Sequence, residues 1–148
     1  MKAIIQRVSF ASVTVDSKKI SEIGSGLLIL LGVSHKDVDQ DIDYLVNKTA
    51  RLRIFRDVNQ NMNLSIQDVN GEALVVSQFT LCADTKKGRR PSFLMAADPI
   101  IAENMYDQYC QKLQRLNIPV SMGQFGADMD VKLINDGPVT IILDTSSD

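Results

Sequence analysis

The chain has 148 residues, 45% of them hydrophobic and 23% charged, with a formal net charge of −2 at pH 7. That length suits one domain around a single core better than two, and the composition is that of an ordinary soluble globular protein, not a disordered or fibrous one. The weakly acidic balance excludes a globally basic nucleic-acid binder, so a nucleic-acid partner would have to meet a local basic patch.

The strand signals come first. Residues 4–8 are apolar and β-favouring, and residues 12–15 alternate as a half-buried strand does. Asp16, Ser17 and Lys18 make a turn, and residues 19–23 alternate back. Residues 27–33 form a continuous apolar run that fits a strand buried on both faces. The apolar stretch Leu27 to Leu31 is the longest in the chain. It is far short of the about 20 residues of a membrane span, so no membrane partner is expected. The opening residues 1–7 carry no apolar core of a signal peptide. The two cysteines, Cys82 and Cys110, sit in no metal-like spacing, which points to free thiols in a reducing, cytoplasmic compartment.

Residues 37–51 read as a helix. Asp37, Asp39, Asp41 and Asp43 crowd its start, where negative charge suits the helix dipole, and Ile42, Leu45, Val46 and Thr49 share one face. Residues 51–56 alternate as a strand. Residues 63–69, Asn70-Gly71 and residues 72–81 read as a hairpin, because Asn-Gly is the strongest two-residue turn signal. A polar loop, 84–92, precedes a second helix over 99–116, with Pro99 in its first turn and Ile100, Ala102, Met105, Tyr109 and Leu113 as core contacts. Strands over 120–125, 127–134 and 139–143 complete the chain, and the tail from Ser146 to Asp148 reads as frayed. The order of elements predicts an α+β fold of one domain, 1–148, with a mostly antiparallel, barrel-like sheet and two main helices.

Three segments carry chemistry. Ser77-Gln78-Phe79-Thr80-Leu81 ends an apolar strand, where hydroxyls and free backbone N–H groups could face a developing oxyanion; the plain alternative is a strand with a wet face. Asn135-Asp136-Gly137-Pro138-Val139-Thr140 reads as a turn, and a cis Gly-Pro bond there would aim two carbonyls the same way, whereas a trans turn would not. Lys86, Lys87, Arg89 and Arg90 put four cations in a Gly/Pro-bearing loop, suited to phosphate contacts or to plain solvation. His35 is the only histidine and falls in a loop. With isolated cysteines and scattered carboxylates, neither a metal nor a cofactor is expected.

The segment Ser77 to Ala83 resembles the SQFTLxA signature of D-aminoacyl-tRNA deacylases, and Asn135 to Thr140 resembles their NxGPVT signature. Residues 1–8, 87–93 and 123–129 match supporting blocks of the same family, so the resemblance spans nearly the whole chain. It implies a homodimer acting on aminoacyl-tRNA, with a cis Gly137-Pro138 pair reaching into the partner's site. There the two carbonyls would accept hydrogen bonds from the substrate's α-amino group. Ser77, Gln78, Phe79 and Thr80 would form the catalytic wall, Arg7 would orient the Gly-Pro loop, and Met129 would join the selecting residues. The implied substrates are D-aminoacyl-tRNA and glycyl-tRNA mischarged on tRNA-Ala, with Lys86, Lys87, Arg89 and Arg90 on the tRNA. Two other readings remain open at this point. One is a dimeric binding module without turnover. The other is an editing enzyme for an L-amino acid, with a trans bond at Pro138.

Overall fold

A computed structural model describes residues 1–147; Asp148, the end of the tail, lies outside the described residues. In chain order the elements are β1 (Lys2–Val15), β2 (Lys18–Ile23), β3 (Gly26–Gly32), α1 (Asp39–Arg51), β4 (Phe55–Arg56), β5 (Met62–Leu64), β6 (Glu72–Ser77), a 3-10 turn (Phe79–Cys82), α2 (Pro99–Arg115), β7 (Val120–Met122) and β8 (Asp130–Asp144). Thr145–Ser147 add a closing 3-10 turn where fraying was expected. Among the described residues no helix is long and apolar enough to cross a membrane.

β1 is the spine of the sheet. The stretches 4–8 and 12–15 belong to this one strand, whose curl lets it serve several partners. Along one edge it runs antiparallel to β8 for most of its length. Along the other it pairs with β3 through residues 2–8 and with β2 through residues 11–15. Beyond β3 come β6 and β7, both parallel to their neighbours. The result is a six-stranded sheet bent towards a barrel.

Alternate residues of the central strands face two different cores. Leu27, Ile29, Leu31, Ala73 and Val75 point at the helices, where Ile42 and Leu45 of α1 and Met105, Tyr109 and Leu113 of α2 cover them. Leu28, Leu74 and Val76 point the other way, into Ala11, Val13 and Ile23 of the curled half of β1 and of β2. Coverage on both faces is why β3 reads as an unbroken apolar run. Tyr109 is fully buried, and its hydroxyl is bonded to the Thr49 hydroxyl at 2.8 Å, tying α2 to α1.

Several boundaries differ from expectation for physical reasons. α1 begins at Asp39 because the Asp41 carboxylate accepts the Val38 N–H at 2.8 Å, while Asp37 bonds backward to the Ser34 N–H at 2.6 Å. Ile100 is 80% exposed and outside the core, while Ala102, two residues on, packs against it. The alternating run 51–56 keeps only Phe55–Arg56 as strand, paired with Met62–Leu64. The expected hairpin around Asn70-Gly71 is absent. β6 lies parallel to β3, and parallel neighbours need a crossover, which α1 supplies. Asn70 does adopt a positive φ of 50°, but it closes a single helical turn that Ser65 and Asp68 cap, with the Gly71 N–H bonded to the Ile66 carbonyl at 2.9 Å. The strands expected over 127–134 and 139–143 are one continuous β8, and the strand over 120–125 ends at Met122.

Candidate active site

The segment 135–140 does not turn the chain back; it interrupts β8 without ending it. β1 and β8 pair at Gln6–Thr140 and again at Val8–Asn135. Between these pairs Arg7 alone faces Asp136, Gly137, Pro138 and Val139, an oversized β-bulge. Asn135 laces its base: its side-chain oxygen accepts the Val139 N–H at 2.7 Å and its amide donates to the Val139 carbonyl at 3.1 Å. The Arg7 guanidinium lies beneath the bulge at 2% exposure. Its Nε donates to the Asp136 carbonyl at 2.8 Å and its Nη1 to the Ile54 carbonyl. The Asp136 carboxylate is 3.3 Å from Arg7 Nε and 3.2 Å from Arg56 Nη1. Gly137 and Pro138 stand exposed, joined by a cis peptide bond. A Cβ added to Gly137 would come within 2.6 Å of the Val139 nitrogen and 2.7 Å of its Cγ2, so this position excludes any side chain.

The other constellation sits where β6 ends. The strand stops at Ser77, not at Leu81. The Gln78 N–H makes one last bond to the Leu31 carbonyl at 2.8 Å, and the chain then winds into the Phe79–Cys82 turn. Ser77, Gln78 and Phe79 form one side of a cavity of about 550 Å³. Ala97 and Pro99 form a second side, and Phe125 and Met129 a third. Three bonds fix these walls. The Ala97 N–H donates to the Val33 carbonyl at 3.0 Å, and both the Tyr106 hydroxyl (2.8 Å) and the Gly123 N–H (2.9 Å) donate to the Val75 carbonyl. Gly123 leaves room for Met129, whose sulfur would lie 2.8 Å from an added Cβ. Phe79 is 55% exposed at the rim and meets Phe93 edge to face at 5.1 Å between ring centroids.

The electrostatics narrow the chemistry. The Thr80 hydroxyl accepts a hydrogen bond from the Gln78 amide at 2.6 Å, and an amide N–H cannot take a proton from it. Cys82 and Cys110 are buried. Burial pushes the Cys82 thiol up, and burial with Asp107 nearby pushes Cys110 up to about 12, so neither is a thiolate at neutral pH. His35 is exposed in a loop, its N–H bonded to the Met95 carbonyl at 3.0 Å. Among the described residues no group of His, Cys, Asp and Glu is placed to hold a metal ion. What the site offers is backbone N–H groups, hydroxyls, a shaped apolar cavity and one exposed carboxylate in its lining, Asp128.

Of the residues singled out from sequence, Ser77, Gln78, Phe79 and Met129 line one cavity, with Thr80 alongside. Arg7, Gly137 and Pro138 form a second cluster, and neither Gly137 nor Pro138 lines that cavity within the chain. Lys86, Lys87, Arg89 and Arg90 lie exposed in a loop closed by a two-way bond between Asp84 and Ser92, at 2.8 and 2.9 Å. Sequence reasoning missed Arg56 and the carboxylate of Asp136. The charged residue next to Gly-Pro was the available signal for Asp136; nothing local marks Arg56.

The sequence profile of the D-Tyr-tRNA(Tyr) deacylase family matches residues 4–144. The chain is 58% identical over 146 residues to the D-aminoacyl-tRNA deacylase of Roseiflexus castenholzii, covering 99% of this chain and 93% of the relative. It is 53% identical over 146 residues to that of Clostridioides difficile, covering 99% and 98%. Among solved structures it is similar to the c-Myc DNA Unwinding Element Binding Protein, with a TM-score of 0.93 at 41% identity over 98% of this chain and 99% of that one. A probable eukaryotic D-amino acid tRNA deacylase shares the fold, with a TM-score of 0.80 at 17% identity over 96% and 97%.

Proposed function

The chain belongs to the D-Tyr-tRNA(Tyr) deacylase family, a family of hydrolases, and from that premise we propose that it is a cytoplasmic homodimer that removes D-amino acids from tRNA by ester hydrolysis. The reading is carried by one observation: an exposed Gly137-Pro138 main chain, held from below by a buried arginine, lies outside the cavity that Ser77, Gln78 and Phe79 line. A second copy supplies the missing half. The loop of one subunit enters the other's cavity, and its carbonyls accept hydrogen bonds from the substrate's ammonium group.

Chirality then follows from geometry. With the amino group, the ester carbonyl and the Cα hydrogen fixed, the side chain has one direction left. A D-residue points it to solvent, and an L-residue drives it into the Gly-Pro backbone. A steric wall of this kind rejects far better than one lost contact. Glycine has nothing to clash, so glycyl-tRNA mischarged on tRNA-Ala passes the same filter.

The Phe79–Cys82 turn begins with N–H groups that have no acceptor within it. Those of Phe79 and Thr80 stabilise the oxyanion as water attacks the ester carbonyl, and the ribose oxygen leaves. The neighbouring ribose 2′-hydroxyl assists the water in this scheme, in place of the exposed Asp128 carboxylate that also lines the cavity. Thr80 is not a covalent nucleophile in this scheme, because its hydroxyl is unactivated.

Hydrolysis of D- and L-tyrosyl-tRNA, followed over a range of enzyme concentrations through the dimer–monomer transition, tests the proposal. Fast loss of the D-ester alone, with activity falling as subunits separate, is the expected result. Equal cleavage of both enantiomers, full activity as a monomer, or protection of the ester without turnover would each defeat it.

A further inference from the structure

A second cavity, of about 450 Å³, lies across a thin wall from the first. Ser34 and Met95 line it, while Ala96 and Ala97 line the catalytic cavity, and Ser34 pairs with Ala96 in an isolated bridge. Its charged lining comprises Lys2, Lys36 and Lys86 against Asp37, Asp84 and Asp144.

These charges are not equally available. Asp37 accepts the Ser34 N–H at 2.6 Å and the Met1 ammonium at 2.5 Å. Asp84 accepts the Lys86 N–H at 2.9 Å. Asp144 accepts the Ser146 N–H at 3.0 Å and the Ser146 hydroxyl at 2.7 Å. Of the three carboxylates, Asp37 is neutralised by the Met1 ammonium, while Asp84 and Asp144 keep their charge and are oriented by these neutral donors. Lys2 reaches Asp144 only at 3.7 Å and is 43% exposed. Lys36 makes no ion pair among the described residues, and neither do Lys86, Lys87, Arg89 and Arg90. Lys36 and Lys86 thus line the second cavity unpaired, with Lys2 beside them, and Lys87, Arg89 and Arg90 follow Lys86 in the same exposed loop. With Asp37 paired to Met1, the three lysines outnumber the two remaining carboxylates, and with Lys87, Arg89 and Arg90 they leave a surplus of positive charge that suits an external polyanion.

We propose that this second cavity, with Lys2 and Lys36 on its wall and the 86–90 loop at its edge, holds the backbone phosphates of the RNA strand whose 3′ end occupies the catalytic cavity. The inference rests on the deacylase reading for the identity of the polyanion. It adds the path by which the strand leaves the site. Phosphate contacts position a strand without reading its sequence, so this track fixes register and leaves selection to the catalytic cavity.

The test is binding of an uncharged RNA minihelix with a single-stranded 3′ end, by fluorescence anisotropy between roughly 50 and 200 mM salt. The Lys2→Gln/Lys36→Gln protein is compared with Lys18→Gln/Lys19→Gln. The second pair removes equal charge in β2, opposite the far end of β1, where Lys18 pairs with Val15 and Lys19 with Thr14. For two lost single-strand phosphate contacts, the slope of log affinity against log salt should shrink by about 1.4. The Lys18/Lys19 variant should keep the wild-type slope. An unchanged slope in the Lys2/Lys36 variant, or equal shrinkage in both, overturns the proposal, as does a wild-type protein that does not bind the RNA. Failure of the deacylase reading would register separately, as RNA binding with the normal slope and no cleavage of a D-aminoacyl ester.

Discussion

Replacing Arg7 with Met keeps most of the side chain's length and removes its donors, which isolates what the guanidinium does beneath the Gly-Pro bulge. Two of its bonds are buried and charge-assisted, to the carbonyls of Asp136 and Ile54. At about 1.5–3 kcal/mol for each bond to a charged group, their loss amounts to about 3–6 kcal/mol. The ion pair with the Asp136 carboxylate adds little. That side chain is 41% exposed and shared with Arg56, so its share is under about 1 kcal/mol. Urea denaturation at fixed protein concentration should therefore show a loss of roughly 3–6 kcal/mol, or a fall in Tm of roughly 10 °C or more for a chain of this size. Freed from its tether, the loop drifts, and a displacement of about 1 Å is enough to cost on the order of a hundredfold in rate. The ratio of D- to L-tyrosyl-tRNA cleavage should fall with it. Arg7→Lys keeps the charge but not the two-way reach, and should lie between. A Met variant that loses under about 1 kcal/mol, the worth of one weak neutral hydrogen bond, or that keeps its full preference for D-esters, would refute the reasoning.

Gly137→Ala should lower kcat/KM for D-esters by on the order of a hundredfold, because the new methyl group overlaps Val139; steady-state kinetics beside an unchanged far-ultraviolet spectrum would separate this from misfolding. Thr80→Ala should keep turnover within roughly tenfold of wild type, since only a hydroxyl bonded to Gln78 is lost; collapse of activity, or a trapped ester in wild type, would restore the covalent route. Stability should fall at alkaline pH. Burial lifts Cys110 from 9.0 to about 12, so the unfolded chain ionises first. The thiol's contribution is complete below about pH 9 and is lost as the pH climbs towards 12. Denaturation midpoints for wild type and Cys110→Ala, measured across that range, should converge as the pH rises.

The two helices and the apolar β3 were legible in the sequence, because each rests on local pattern. Ile42, Leu45 and Val46 sit at helical spacing, and so do Met105, Tyr109 and Leu113. What escaped was long-range pairing. Asn70-Gly71 looks alike whether it joins two paired strands or closes a hydrogen-bonded turn between unpaired ones, and the parallel placement of β6 beside β3 decides which. The bulge at 136–139 likewise reads as a turn until β1 is seen running past both of its ends. Arg56 reaches Asp136 only through folding that brings residue 56 to residue 136.

The pinning of that bulge has a thermal consequence. Its two ends belong to the β1–β8 ladder, at Gln6–Thr140 and Val8–Asn135, so it is a peg set in the sheet, with no hinge on which to swing. On the proposed mechanism, discrimination between mirror images would need no closing motion and should not soften gradually on warming. It should hold level until the ladder itself unzips, and vanish together with the fold.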